Sequence, residues 1–223
     1  MRHVALLLAL ALAAPASAQL AVGVDVSAGP SLTALGASGE IRAAGIPIPL
    51  GRVDFPTSAG IDARVRLDVH GPVWGGRLGV GYLSASDVFD GASLFDQRSV
   101  DLAFVVASGE VTVRQPYGPA EIRAGFGPEV RVVLDESDPR ADLLSLLGDV
   151  RRSHVALGGS VGARFVVGGL ALGPELRGGL ALTPLSDDTV VATDVLPGID
   201  GRIQLAGDFR FDHVSLSLTI GTP

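Results

Sequence analysis

From Gln19 onward, apolar and polar residues alternate with a period of two over most of the chain. In residues 61 to 70, Ile61, Ala63, Val65, Leu67 and Val69 share one parity, and Asp62, Arg64, Arg66, Asp68 and His70 share the other. A strand sends successive side chains to opposite faces, so this run predicts a strand with one apolar and one charged face. The same alternation recurs over Leu20 to Ser27, Trp74 to Tyr82, Val100 to Val106, Glu121 to Val132, His154 to Val167, Leu170 to Leu182, and His213 to Ile220. Eight strands are predicted.

Two parity changes interrupt the pattern. The first falls between Val106 and Val111, across Ala107-Ser108-Gly109. It predicts a glycine-containing bulge that turns Glu110, Thr112 and Arg114 inward. The second, between Phe211 and Val214, leaves two readings of residues 199–211: an extended arm of the last strand, or a separate strand. The even strand count of a closed barrel favours the arm.

Connection lengths alternate too. Short turns lie at Gly71-Pro72, Gln115 to Gly118 and Gly168-Gly169; long connections lie near 30–56, 87–97, 134–151 and 185–205. In an antiparallel meander this gathers all short turns at one end and all long loops at the other. The predicted fold is therefore all-β: an eight-stranded antiparallel up-and-down transmembrane β-barrel with short periplasmic turns and long extracellular loops. One long loop carries a helix signal. Asp138 can cap it, Pro139 suits its first position, and Leu143, Leu147 and Val150 share a face.

The two faces set the barrel's orientation. One set of rows is Val, Leu, Ile and Phe with some Ala and Gly, suited to lipid, where a mid-membrane Arg costs about 2–4 kcal/mol. The other mixes glycine with charge. Its acids are Asp25, Asp62, Asp68, Asp101, Glu121, Glu129 and Glu175, and its bases are Arg64, Arg66, Arg77, Arg123, Arg131, Arg164 and Arg177. Seven acids against seven bases predict a paired, plugged lumen, because an unpaired buried charge is far more costly than a paired one. A soluble lipid-binding barrel would be inverted, with its apolar face inside. All 17 basic residues are Arg and none is Lys; the planar guanidinium fork grips carboxylates with two hydrogen bonds.

Composition narrows the class further. The formal net charge is −7, and no Cys is present. Disulfides and thiolate metal sites are excluded, and an acidic chain without a basic stripe is no nucleic-acid binder. Residues 1–18 read as an export signal: Arg2, an apolar run from Val4 to Ala14, and Ala16-Ser17-Ala18 before the cleavage point. The mature barrel domain is then 19–223, and its acid excess falls in loops, at residues such as Glu136, Asp138, Asp142, Asp187 and Asp188.

Catalytic signals are sparse. The mature chain has three His, namely His70, His154 and His213. Ser153, Ser99 and Glu136 lie near His154 in the sequence or in the predicted topology, but neighbours on a strand face opposite ways, so Ser153 is a poor partner. A hydrogen-bonded rim or lumen histidine is the simpler reading. Asp87-Val-Phe-Asp90-Gly lacks the full spacing of a Ca²⁺ loop. No metal, cofactor or catalytic set is expected.

The run Pro119-Ala-Glu-Ile-Arg-Ala-Gly-Phe-Gly-Pro-Glu-Val resembles the central hairpin strand of PorT-type outer-membrane barrel domains. Val155 to Arg164 and Leu170 to Leu182, joined by Gly168-Gly169, resemble the following hairpin. The wider resemblance is to small OmpA/OmpX-like barrels. The chain departs from them in ending Leu218-Thr-Ile-Gly-Thr-Pro rather than on an aromatic residue, and in its thin aromatic girdle of Trp74, Tyr82, Tyr117 and scattered Phe. The resemblance implies an outer-membrane location in a Gram-negative-type bacterium, with outer-membrane lipid, lipopolysaccharide and the assembly machinery as partners. The expected function is non-enzymatic, in envelope structure or surface interaction, by a monomer whose acidic loops can meet a surface ligand or divalent cations. The alternatives are a narrow porin-like channel and a lipid A-modifying enzyme.

Overall fold

The computed structural model describes residues 20–43, 46–54, 57–88, 100–137, 153–184, 189–192 and 203–222. The export segment 1–18 and the helix signal at 138–150 lie outside them, as do Asp90 and the acidic loop residues Asp138, Asp142, Asp187 and Asp188. Among the described residues ten strands run in chain order: β1 (Ala21–Ala43), β2 (Ile46–Asp54), β3 (Ser58–His70), β4 (Trp74–Val88), β5 (Val100–Tyr117), β6 (Ala120–Ser137), β7 (Ser153–Val167), β8 (Leu170–Ala181), β9 (Thr189–Ala192) and β10 (Ile203–Gly221). All pairings are antiparallel. Strands β1, β3, β4, β5, β6, β7, β8 and β10 pair in that order, and β1 pairs with β10 to close the ring. The protein is an eight-stranded closed antiparallel β-barrel.

The short connections match their sequence signals. Gly168 and Gly169 form a two-residue hairpin turn, both at positive φ (60° and 83°), where a Cβ would be strained. The β5–β6 turn is Gly118-Pro119, with only Gly118 at positive φ (61°). The β3–β4 turn closes with Gly71 N–H donating to Trp74 C=O at 2.8 Å. All three lie at one end of the barrel.

At the other end the expectation of plain loops near 30–56 and 185–205 is corrected. β1 runs on to Ala43 and stays paired with β10 as far as Ala43↔Ile203. Beyond Gly36, β2 replaces β3 as the partner of β1. Beyond the β8 pairing, β9 pairs with β10 over Ile203–Ala206. The result is a four-stranded blade, β2-β1-β10-β9, rising from the barrel wall. Residues 203–211 are therefore the extended arm of the last strand.

Burial follows parity. Outward residues such as Val24, Val65, Leu78, Val80, Phe126, Leu157, Leu176, Leu180 and Leu216 are exposed. Inward residues such as Asp25, Arg66, Arg77, Arg131 and Arg177 are buried. This is the reverse of a water-soluble protein.

Both predicted parity slips are absent. The β4–β5 register runs unbroken from Trp74↔Val113 to Ala85↔Leu102. Leu102, Phe104 and Val106 share the inward parity of Glu110 and Thr112, and all five are buried. On β10, Phe211 likewise faces in with His213. The interior changes polarity along the barrel axis. Apolar residues at inward positions therefore mimic a change of face.

Candidate functional site: the charged lumen

The lumen is stacked in layers. At the blade end most inward side chains are apolar: Leu35, Leu83, Ala85, Leu102, Phe104, Val106, Ala156, Ala181 and Phe211 are all buried, beside the buried polar Ser58 and His154. Phe104 packs on Phe211 with ring centroids 4.8 Å apart, and meets His154 edge-on at 5.4 Å. These residues form an apolar cap. Below it the interior becomes ionic.

The ionic layer is one connected network. Arg64 grips Asp62 (Nε–Oδ1 2.7 Å) and reaches Glu129 (3.1 Å). Glu129 also accepts from Arg131 (3.3 Å) and Arg177 (2.9 Å). Arg177 continues to Glu110, which Arg77 approaches at 3.5 Å. Arg77 lies 3.4 Å from Glu175, and Glu175 also pairs with Arg66. The network is tied to the wall by Arg131 donating to Phe211 C=O (2.6 Å) and Ser215 donating to Asp62 (2.9 Å). Arg131 also reaches Nδ1 of His213 (2.8 Å), and Nε2 of the same ring lies 3.5 Å from Arg64 and 3.7 Å from Asp62.

Nearer the short turns, the pairs separate. Arg164 binds Asp25, and Arg123 bridges Asp68 and Glu121. Arg114 meets Glu121 at 3.4 Å at the half-buried rim. Glycines make room for this filling. A Cβ on Gly81 would sit 2.7 Å from Cγ of Arg64, and one on Gly79 2.8 Å from Cγ of Arg66.

Thirteen of the fourteen residues expected in the lumen sit there, and each makes at least one ion pair with another lumen side chain. Asp101 does not. It is exposed on the outward parity of β5, because without a bulge Leu102 and Phe104 take the inward positions. Glu110, expected to face inward but not among the fourteen, joins Arg77 and Arg177 at the centre of the network.

No described arrangement favours a nucleophile–base pair. His154 is buried, and neither ring nitrogen has a hydrogen-bond partner; Ser153 is exposed on the opposite face. Ser99 and the Glu136 side chain lie outside the described residues. Among the described residues no group of three or more His, Asp or Glu side chains is placed to hold a metal ion.

No protein-family model matches the chain, and no curated protein matches it significantly. Solved structures with the same general architecture include Neisserial surface protein A, at 12% identity and TM-score 0.44, covering 90% of this chain and 97% of that one. Another is Ail, the attachment invasion locus protein of Yersinia pestis, solved with the heparin analogue sucrose octasulfate. It has 10% identity and TM-score 0.40, covering 90% of this chain and 98% of that one. At these scores the likeness carries no functional inference for this chain.

Proposed function

We propose that the chain is an integral outer-membrane barrel of a Gram-negative-type bacterium, exported by residues 1–18. It is non-enzymatic, closed to solutes, and active in envelope structure or surface contact. The observation that carries this reading is the inversion of the barrel. Large apolar side chains are exposed outward on all eight barrel strands, while the described buried charges lie inside. In water a continuous apolar belt of this size is an aggregation hazard; in lipid it is the stable arrangement.

The same layers support closure. A pore needs a wet, continuous path. Here ion pairs fill the middle of the lumen and the apolar cap lies across its blade end. Paired Arg and carboxylate side chains offer little free charge to a passing ion, and the cap offers none.

The blade supports a surface role. A tilted strand crosses the hydrocarbon in about 9–11 residues, whereas β1 has 23 and β10 has 19. The excess extends past the membrane at the end opposite the short turns. It gives a rigid base to the long loops, where the sequence concentrates its acids. Fractionation of expressing cells tests the location: the protein should pellet with outer membrane and migrate faster on gels when unheated. Recovery in the soluble fraction would refute it. Planar-bilayer recordings test closure, for which no stepwise conductance is expected; stable channel steps would establish the porin-like alternative.

A further inference from the structure

Two segments of the chain repeat one another. Residues 127–131 read Gly-Pro-Glu-Val-Arg, and residues 173–177 read Gly-Pro-Glu-Leu-Arg. They lie on β6 and β8, each proline exposed on the outward parity and each glutamate buried in the lumen. The two glutamates are the hubs of the ionic network. Glu129 meets Arg64, Arg131 and Arg177, and Glu175 meets Arg66, Arg77 and Arg177. No other described lumen carboxylate meets more than two arginines. The third Gly-Pro step inside a barrel strand, Gly29-Pro30 on β1, is followed by Ser31.

The three steps share one geometry. The flanking registers set Pro30 opposite Leu216, Pro128 opposite Gly109 and Pro174 opposite Ala163, and the ladder skips each step. Proline has no N–H to give the facing carbonyl. The preceding glycine leans on that same carbonyl instead. A Cβ on Gly29, Gly127 or Gly173 would fall on the carbonyl oxygen of Leu216, Gly109 or Ala163 respectively. Only an α-hydrogen fits there, which makes a Cα–H···O contact. Gly60 approaches the Ser84 carbonyl in the same way, and there the Ile61 N–H is diverted to Oγ of Ser84 (3.1 Å). The close approach thus goes with a missing ladder donor. Glycine kinks of this kind curve a strand, and the next inward side chain stands directly after each kink.

We infer that Pro128 and Pro174 are positioning residues of the lumen plug. Each kinks its strand so that the following glutamate reaches arginines from three different strands: β3, β6 and β8 for Glu129, and β3, β4 and β8 for Glu175. With a straight ladder the carboxylate draws back toward the wall and loses part of that set. Pro30 is the internal control, with the same kink and an uncharged Ser31 behind it. The inference deepens the reading of an ion-paired lumen and rests on it. Conductance tests closure, whereas this inference is read in the coupling of each proline to its glutamate, so the two fail separately.

Urea unfolding from phospholipid vesicles, with NMR in micelles, tests it. Pro128→Ala and Pro174→Ala should each lower the unfolding midpoint. Pro30→Ala should leave it unchanged or raise it, because a new N–H for the Leu216 carbonyl offsets the freer unfolded chain. In a Glu175→Gln background Pro174→Ala should have no further effect, since a residue acting through the carboxylate has nothing left to position. One α-proton of Gly127 and one of Gly173 should resonate downfield of ordinary strand glycines. Equal midpoints for the three proline variants, an undiminished Pro174→Ala effect beside Glu175→Gln, or unshifted glycine α-protons would overturn the proposal. The glycine signature is read on the unsubstituted protein and decides even if a variant fails to fold.

Discussion

Arg177→Met is the sharpest perturbation of the lumen. Arg177 is 2% exposed and joins three carboxylates: Glu110, Glu129 at 2.9 Å and Glu175 at 3.9 Å. Methionine keeps much of the side-chain volume but removes the charge. Glu110 is then left with Arg77 at 3.5 Å and the Ser160 hydroxyl at 3.3 Å, while Glu129 keeps Arg64 and Arg131. Breaking a buried pair from one side costs about 3–5 kcal/mol. The surviving partners place this case near about 3 kcal/mol at that scale. Arg114→Gln is the control, since its pair with Glu121 is partly solvated and is worth about 0–1 kcal/mol. Both are measured by reversible urea unfolding from phospholipid vesicles, followed by gel mobility and circular dichroism. The double variant Glu110→Gln with Arg177→Met should recover part of the loss, because it removes the least supported carboxylate charge together with the cation. If Arg177→Met and Arg114→Gln agree within about 0.5 kcal/mol, the size of an ordinary surface effect, the lumen network is not a buried structural element.

Other substitutions test the remaining layers. Leu216→Arg, outward on β10, should cost about 2–4 kcal/mol in vesicles, whereas Tyr117→Arg at the short-turn rim should cost about 0–1 kcal/mol; equal costs would contradict the belt. Phe104→Ala empties the apolar cap where Phe104 meets Phe211 and His154, and should cost about 3–5 kcal/mol by the same unfolding assay. Gly81→Val should impair refolding, because even its Cβ would crowd Arg64, while Gly109→Ala, whose nearest neighbour would be 3.6 Å away, should refold normally in a gel-shift assay.

Much of this architecture was legible in residue order. Period-two alternation located the eight barrel strands. Gly118 and Gly168-Gly169 marked hairpin turns because positive φ favours glycine. Charge at one parity of Ile61 to His70 identified the inward face. What failed was the assumption that polarity always reports the face. That assumption holds through the ionic layer and breaks in the cap, where Leu102, Phe104 and Phe211 point inward. It sent Asp101 to the wrong side and invented a bulge at Ala107-Ser108-Gly109. Cross-lumen partners were beyond sequence reasoning as well. Arg66 and Glu175 are 109 residues apart, and only the shape of the barrel brings them together. The blade was hidden for a different reason: β2 carries Pro47 and Pro49, and its partner in β1 is rich in Gly, Ala and Ser. Such composition reads as loop until pairing with β10 supplies the ladder.

Whether the exposed belt faces lipid can be read without any mutation. Trp74 is the only tryptophan in the chain. It is 62% exposed at the start of β4, beside the short β3–β4 turn, a level where a membrane barrel places aromatic side chains at the interface. Its fluorescence should be measured in vesicles whose acyl chains carry bromine at different depths. A lipid-facing belt gives blue-shifted emission, quenched more strongly by bromines near the headgroups than by bromines near the bilayer centre. Red-shifted emission that brominated lipid leaves unquenched would contradict it.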